Sequence, residues 1–317
     1  PETNRPMSTL FYSHSDCRLH DMGAGHPECP QRLDAISDHL LATGLDIALQ
    51  HKDAPLATLE QLERAHSAGY VLQLKDLLEQ IRDAGEPRAL DPDTVACPGT
   101  WQAALRAAGA AVAATDEVLA GRAKNAFCAV RPPGHHATRD ETMGFCFFNN
   151  VAVAARHALD VHGLHRVAII DFDVHHGNGT EDIVAGDDRI LMCSFFQHPL
   201  YPYSGAVPKG TNMINVPIAP YTRGPELRET IESMWLPRLD EFQPQMIFIS
   251  AGFDAHREDD LGQLGLVEAD YEWITRRLLA VADRHAGGRV VSCLEGGYAL
   301  SALARSVAAH VRVLADM

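Results

Sequence analysis

The chain has 317 residues, of which 46% are hydrophobic, 22% are charged and 7% are aromatic. This composition is typical of a globular protein with one large core or two modest domains, and it excludes a disordered chain. The formal net charge of -15 argues against a protein that binds nucleic acid or anionic membranes through charge.

Short apolar runs rich in β-branched residues alternate with helical patterns along the chain. The runs lack clean alternation, which is typical of strands buried on both faces of a sheet. The predicted elements are, in chain order, a strand over 9–13 (TLFYS), a helix over 100–121, a strand over 126–130 (AFCAV), a helix over 150–163, strands over 166–171 (RVAIID), 189–195 (RILMCSF) and 245–252 (QMIFISAG), a helix over 268–288, a strand over 289–297 (RVVSCLEGG) and a helix over 300–317. The alternation predicts an α/β protein, with a parallel sheet and helices on both faces.

The cysteines and the hydrophobic runs indicate a protein of a reducing compartment. The seven cysteines form no CxxC pair, so we expect free thiols and a cytoplasmic location. We find no charged-then-apolar leader and no run of about 20 apolar residues, which predicts neither a secretion signal nor a membrane span. Residues 1–6, before Met7, are interpreted as a cloning remnant or a disordered segment, and residues 7–317 as a single domain.

Titratable residues gather directly after four of the predicted strands. The cluster RPPGHH follows the strand at 126–130, and DFDVHHGNG follows the strand at 166–171. The cluster GFDAH follows the strand at 245–252, and EGGY follows the last strand. In open parallel sheets, ligands bind beyond the carboxyl ends of the strands. We therefore expect the four clusters to converge on one site.

The cluster DFDVHHGNGT offers two ligands for a divalent metal. Because side chains alternate along an extended segment, Asp171, Asp173 and His175 point one way and His176 points the other, where it is expected to be structural. Asp173 and His175 supply two ligands, Asp254 can supply a third, and a fourth position stays open for water. The set suits zinc and would accept iron(II) or cobalt(II). For any one of these residues alone, a hydrogen-bonded cap at a strand end is the simpler interpretation.

A pair of histidines follows the stiff turn RPPG. His135 and His136, next to a metal-bound water, would supply a general base and a general acid or electrostatic partner. Asp171 and Asn178 are candidates for orienting them, and an ionised Asp should raise a histidine pKa more than a neutral Asn does. Tyr298, after two glycines, could donate a hydrogen bond to a developing oxyanion, although a packed loop residue is the simpler interpretation.

Together these motifs resemble the zinc-dependent histone deacetylase superfamily. The motifs are HPECPQR, RPPGHHA, GFCFFNN, DFDVHHGNGT, SAGFDAH and LEGGY, and they run in the family's order from about Phe11 to the last helix. They look closest to the class II branch and to the bacterial deacetylase-like amidohydrolases. The resemblance implies a single-domain arginase/deacetylase fold around a mainly parallel eight-stranded sheet. It also implies one catalytic zinc ion and a structural potassium ion.

The resemblance assigns roles to individual residues. The residues that match the family's zinc ligands are Asp173, His175 and Asp254. Those that match its catalytic set are His135, His136, Tyr298, Asp171 and Asn178. The substrate channel would be lined by Phe145, Leu261 and either Tyr201 or Tyr203. The potassium site would use Asp171, the Ser194 hydroxyl and the carbonyls of Asp173, His175 and Phe195. Arg32 would either line an internal acetate-exit channel or form a salt bridge at a helix start.

The implied reaction is hydrolysis of a linear amide. The enzyme would remove acetyl or other short acyl groups from the side-chain amine of lysine in proteins or peptides, with zinc polarising the carbonyl and activating water. His136 would be the general base, and Tyr298 would share the oxyanion with zinc. The expected partner is an acylated lysine substrate or a small acetylated amine, with no nucleic acid and no membrane. Nothing in the sequence indicates an oligomeric state.

Three alternatives remain open. An arginase-type ureohydrolase needs carboxylates for a second metal, but Gly177 and His256 stand at those positions. Some acetylpolyamine amidohydrolases carry an acidic gatekeeper seven positions after the residue equivalent to Asp254. Leu261 stands there, although the acidic residues 258–260 could substitute. A non-catalytic deacetylase-like binding protein would usually have lost a ligand, the histidine pair or the tyrosine, and this chain keeps all of them.

Overall fold

The structure is a computed structural model that describes residues 8–317. The interpretation of residues 1–6 therefore lies outside the described residues. A central sheet of eight strands has parallel pairing throughout, and a separate two-stranded antiparallel ribbon flanks it. The strands are β1 (Thr9–Ser13), β2 (Leu49–Asp53), β3 (Arg88–Ala89), β4 (Val95–Ala96), β5 (Asn125–Cys128), β6 (Val167–Asp171), β7 (Ile190–Gln197), β8 (Met213–Ile218), β9 (Ile247–Ala251) and β10 (Val290–Leu294).

Helices cover both faces of this sheet. Those in the described part of the chain are α1 (Gln31–Ala42), α2 (Leu59–Glu63), α3 (Ala68–Ala84), α4 (Thr100–Leu119), α5 (Asn150–Asp160), α6 (Asn178–Val184), α7 (Gly224–Thr230), α8 (Leu236–Phe242), α9 (Glu268–His285) and α10 (Leu300–Leu314). Helix α4 packs against α5, whereas α10 packs against both α1 and α9, which gives one helical layer on each face. Among the described residues, we find no helix with the length and apolar character to span a membrane.

The predicted α/β fold with a parallel eight-stranded sheet is confirmed. All six predicted strands are present, and the four predicted helices form α4, α5, α9 and α10. The apolar runs missed β2 and β8, which are the two edge strands. Strand β2 has the polar sequence LQHKD and β8 contains a proline, and both are only partly buried. Edge strands are covered less than central ones, so they lack the apolar run that marks a central strand.

The order of the strands places the four polar clusters side by side. The sheet runs β2-β1-β5-β10-β9-β6-β7-β8. The clusters follow β5, β10, β9 and β6, which are the four central and consecutive strands. Because all the strands are parallel, the clusters leave the sheet at the same carboxyl edge. The topology alone therefore brings together segments that are more than a hundred residues apart in the chain.

On the face of the sheet covered by α9 and α10, a buried histidine is held in its neutral form. His310 of α10 is completely buried, with Nδ1 2.6 Å from Thr275 Oγ1 and Nε2 2.8 Å from Ser292 Oγ. The Thr275 hydroxyl donates to the carbonyl of Tyr271, so it accepts from Nδ1–H, and Nε2 accepts from Ser292. Burial lowers the pKa of His310 to about 3.

We expect this histidine to make the protein sensitive to acid. The folded-state pKa of about 3 lies below the usual value of 6.5, so in that window the unfolded chain binds a proton that the native state does not. The stability that neutral His310 confers is therefore complete above pH 6.5 and is lost toward pH 3, at about 1.4 kcal/mol per pH unit. Urea denaturation of wild type and His310→Gln at several pH values should show their difference in free energy of unfolding shrinking as the pH falls. A constant difference would contradict this account.

Candidate active site

A cavity of about 240 Å³ opens at the carboxyl ends of the four central strands. Every one of the four predicted clusters contributes to this cavity or to the layer directly beneath it. The residues that line the cavity are Asp93, His136, Gly144, Phe145, His175, Leu200, Tyr201, Leu261 and Tyr298. The lining therefore combines aromatic and aliphatic side chains with two histidines and one aspartate.

Two buried carboxylates converge on the imidazole of His175, which is one of the lining residues. The side chains of Asp173, His175 and Asp254 offer ligand atoms that all lie within 4.8 Å of one another. The Nδ1 atom of His175 is 3.0 Å from Asp173 Oδ1 and 3.2 Å from Asp254 Oδ2. Asp254 Oδ2 is buried without a hydrogen-bond partner, and burial together with the Asp173 carboxylate raises the pKa of Asp254 to about 7. This nitrogen and oxygen set fits a divalent metal of the zinc type.

Glycines of two neighbouring strand ends let the carboxylates approach the backbone closely. The Gly296 N–H donates to Asp173 Oδ2 at 2.8 Å. A Cβ at Gly296 would lie 2.0 Å from Asp254 Oδ2 and 2.6 Å from Asp173 Oδ2, and a Cβ at Gly252 would lie 2.0 Å from Asp173 Oδ2. Any larger residue at these positions must displace a carboxylate.

The two histidines after RPPG have unequal partners. His135 Nδ1 lies 2.9 Å from Asp171 Oδ2, whereas His136 Nδ1 lies 2.7 Å from Asn178 Oδ1. Although burial opposes it, the Asp171 carboxylate raises the pKa of His135 well above its usual value. Burial, with the neighbouring His135, lowers the pKa of His136 well below its usual value. The two rings, with their centroids 4.1 Å apart, are therefore biased in opposite directions, His135 toward the cation and His136 toward the neutral form.

Two charged residues, Arg32 and Asp259, contact Tyr298 and hold it in position. Its ring packs edge-on against Phe145, and the guanidinium carbon of Arg32 lies 4.9 Å from the ring centroid. The Asp259 carboxylate accepts from the backbone N–H of Tyr298 at 2.6 Å. Burial raises the pKa of the Tyr298 hydroxyl well above its usual value. A tyrosine hydroxyl is protonated at neutral pH in any case, and the shift extends this to higher pH, so Tyr298 can donate a hydrogen bond into the cavity that it lines.

Of the two tyrosines that were candidates for the channel, Tyr201 lines the cavity and Tyr203 does not. Phe145, Leu261 and Tyr201 line the cavity, with the Tyr201 ring 5.3 Å from the His136 ring. Tyr203, the other candidate for the channel, is 73% exposed and does not line the cavity. A turn closed by the Tyr203 N–H and the carbonyl of Leu200 reverses the chain just after Tyr201 and points Tyr203 toward solvent.

Sequence reasoning missed a buried ion cluster beside the site. Glu28 binds Arg131 through both carboxylate oxygens, at 2.5 and 2.6 Å, and binds Arg32 at 3.0 Å. All three side chains are fully buried, and the two guanidinium groups lower the pKa of Glu28 to about 2 although burial opposes it. Arg32 thus forms a salt bridge, and it also donates to the carbonyls of Gly297 and Glu295. The available signal was Arg131, a charged residue directly after the apolar run AFCAV.

Sequence reasoning also missed Glu295, which supports the histidine pair. Its carboxylate accepts from the backbone N–H groups of Gly134 and His135 at 2.7 and 3.1 Å, and from the Ser250 hydroxyl at 3.0 Å. Burial raises the pKa of Glu295 to about 7. A glutamate at the end of the apolar run VVSCL was the signal that could have identified it.

The remaining predicted residues lie next to the site. Asp171 and Ser194 stand opposite each other on β6 and β7, so the residues assigned to a potassium site adjoin one another. His176 points away from the cavity, as expected, with Nδ1 2.8 Å from Ser204 Oγ. Gly177 has no free space, because a Cβ there would lie 2.2 Å from Asp171 Oδ2. His256 accepts from the backbone N–H of Glu258 at 3.1 Å.

Comparisons with known proteins agree with this geometry. A family profile for the histone deacetylase domain matches residues 26–314. The chain is 41% identical over 282 residues to a histone deacetylase-like amidohydrolase of Pseudomonas aeruginosa, covering 87% of this chain and 73% of that protein. It is 35% identical to the polyamine deacetylase HDAC10 of Homo sapiens, covering 97% of this chain and 48% of that protein. The crystal structure of the HDA15 HD domain superimposes with a TM-score of 0.91 at 33% identity, covering 98% of this chain and 90% of that chain.

We expect Gly296→Ala to weaken binding of a divalent metal by tenfold or more, because the new methyl group must displace the Asp173 and Asp254 carboxylates. Gly69→Ala is the matched control, since a Cβ at Gly69 meets nothing within 4 Å. Titration of each protein with Zn²⁺ against a chromogenic chelator measures the affinity. Equal affinities of the two variants would show that this glycine does not shape a metal site.

Proposed function

The chain belongs to the histone deacetylase family of amidohydrolases, and from that premise we propose that it removes short acyl groups from lysine side chains with one zinc ion. The observation that carries the proposal is the group of Asp173, His175 and Asp254 beneath the cavity that His136 and Tyr298 line. The substrate would enter along the apolar walls of this cavity and place its amide above these three residues.

Asp173, His175 and Asp254 would hold the zinc. Three protein ligands are the number that a catalytic zinc site uses, and Asp254 Oδ2, which accepts no hydrogen bond, would supply a carboxylate oxygen for the cation. When bound, zinc supplies a Lewis acid for the amide carbonyl and a water molecule of lowered pKa. The structural potassium ion remains a proposal, which rests on Asp171 facing Ser194 across β6 and β7.

The neutral His136 would be the general base. Its Nδ1–H donates to the Asn178 carbonyl oxygen, so Nε2 carries a lone pair that can accept a proton from water. The protonated ring would then deliver this proton to the leaving amine. His135, kept cationic by Asp171, would stabilise negative charge that develops nearby. The Tyr298 hydroxyl would donate a hydrogen bond to the oxygen of the former carbonyl.

Hydrolysis of a small acetylated polyamine is the second candidate, because one relative is named a polyamine deacetylase. Recognition of a second ammonium group requires a free acidic side chain at the cavity. Leu261 is uncharged, Glu258 is paired with Arg305 at 2.9 Å, and Asp259 accepts from three backbone N–H groups. Asp93 lines the cavity and Asp260 is exposed, so not every acidic side chain nearby is committed to a partner, and the uncharged Leu261 is the observation that favours acyl-lysine over acetylpolyamine as the substrate.

Replacing Leu261 by Glu should shift the substrate preference toward acetylated diamines. The ratio of kcat/KM for N-acetylputrescine to kcat/KM for an acetyl-lysine peptide should rise about tenfold or more, since one charge pair in a partly dry site contributes roughly 1–3 kcal/mol. Leu261→Gln, of similar size without charge, is the control and should leave the ratio nearly unchanged. If both variants change the ratio alike, charge at this position does not set the preference. A wild-type enzyme that prefers the diamine more than tenfold would overturn the acyl-lysine proposal.

Removing the hydroxyl of Tyr298 tests the proposed chemistry directly. We expect Tyr298→Phe to lower kcat on acetyl-lysine peptides by a factor on the order of 100 or more, because a hydrogen bond to the developing oxyanion is lost. The KM and the bound zinc should change little. Steady-state kinetics with parallel metal analysis measures both, and an unchanged kcat would exclude this role for the hydroxyl.

A further inference from the structure

A second group of metal-ligating side chains lies at the opposite edge of the sheet from the cavity. It consists of Asp116 on α4, His157 in the last turn of α5, and His162 just after α5. Helices α4 and α5 lead into the starts of β5 and β6, so these residues stand near the amino ends of the central strands. No part of the proposed mechanism uses them.

The three side chains aim their ligand atoms at one point. Asp116 Oδ1 lies 2.7 Å from His157 Nε2 and 2.6 Å from His162 Nε2, and all three ligand atoms lie within 4.8 Å of one another. The His157 side chain is 7% exposed, whereas those of His162 and Asp116 are 29% and 43% exposed. One ligand is therefore fixed between the helices, and the open side leaves room for water as a further ligand.

Asp116 forms no ion pair with a lysine or an arginine of the described residues. Its ion-pair partners within that part of the chain are the two imidazoles. The neighbouring Glu117, in contrast, is paired with Arg122 at 2.8 Å. His157 Nδ1 is buried without a hydrogen-bond partner, so the ring's one polar contact is the atom directed at Asp116. Two imidazole nitrogens and one carboxylate oxygen are a ligand set that suits Zn²⁺.

We propose that Asp116, His157 and His162 form a second Zn²⁺ site, separate from the catalytic cavity. Each imidazole binds through Nε2, the carboxylate binds through Oδ1, and water completes a tetrahedral coordination. The bound ion joins α4 to the connection between α5 and β6. It therefore stabilises the folded chain by an amount that rises with the free Zn²⁺ concentration.

The test counts how many equivalents of Zn²⁺ each protein binds when both sites are filled. Wild type and His162→Gln are titrated with Zn²⁺ against a chromogenic chelator, and their melting temperatures are measured with and without Zn²⁺. Asp116→Asn, which keeps a hydrogen-bond acceptor but loses the charge, is a second variant. His285→Gln is the matched control, since His285 also lies 2.8 Å from a carboxylate, that of Asp240, but an arginine, Arg284, is the third partner there.

Wild type and His285→Gln should bind one more equivalent of Zn²⁺ than His162→Gln does. Asp116→Asn should bind that equivalent at least tenfold more weakly, and the rise in melting temperature with Zn²⁺ should be larger in wild type than in either cluster variant. Equal stoichiometry and equal thermal shifts in wild type, His162→Gln and Asp116→Asn would overturn the proposal. Failure of the catalytic zinc site would remove one equivalent from every protein and leave the difference between them intact, so the two failures are distinguishable.

Discussion

The structure depends on neutralising the carboxylates that lie buried at the carboxyl edge of the sheet. Asp171, Asp173, Asp254 and Glu295 are all fully buried. An isolated charge in such surroundings costs several kcal/mol or more, so each of these groups needs a proton, a cation or several hydrogen bonds. Asp171 has the His135 cation, and Glu295 has two backbone N–H groups and a hydroxyl. Asp173 and Asp254 share the imidazole of His175, and Asp173 also lies 3.8 Å from Nε2 of His135, whose charge is already paired with Asp171, so negative charge remains in excess where a divalent ion fits.

A second group of buried charges, formed by Glu28, Arg32 and Arg131, links the N-terminal part of the chain to the carboxyl edge of the sheet. The Glu28 carboxylate joins Arg131, which precedes the histidine pair, to Arg32, which supports the loop that carries Tyr298. Removing one member of such a buried cluster leaves the others uncompensated, which is costly. The positions of the base and of the tyrosine therefore depend on the same carboxylate. This explains why a glutamate distant in sequence from every reacting group belongs to the site.

The sequence was most informative where several candidate site residues lie in one short segment. Asp173 and His175 lie in one segment with Asp171 and Asn178. The alternation of side chains along that segment indicated two candidate metal ligands, Asp173 and His175. The resemblance to a known motif indicated that Asp171 and Asn178 contact the histidine pair that follows RPPG. Interactions between distant segments were not predictable in this way, because no local pattern states that Glu28 meets Arg131 across 103 positions.

Helix surfaces and turns gave less information. His157 and Asp116 each look like ordinary polar residues of amphipathic helices, and their convergence depends on how α4 packs against α5. The choice between Tyr201 and Tyr203 likewise depended on a turn whose direction the sequence does not state.

The space around Gly177 explains why position 177 offers no ligand for a second metal. A carboxylate at position 177 would have to start from a Cβ that lies 2.2 Å from Asp171 Oδ2 and 3.3 Å from His135 Nδ1. A carboxylate at position 177 would therefore collide with the pair of Asp171 and His135 in this backbone. His256, at the other position that a two-metal hydrolase would need, faces Glu268 at 3.4 Å instead of the donor group. The close packing of Gly177 against Asp171 and His135 therefore leaves one group of three candidate metal ligands at this centre, and this supports the single-metal amide hydrolysis that we propose.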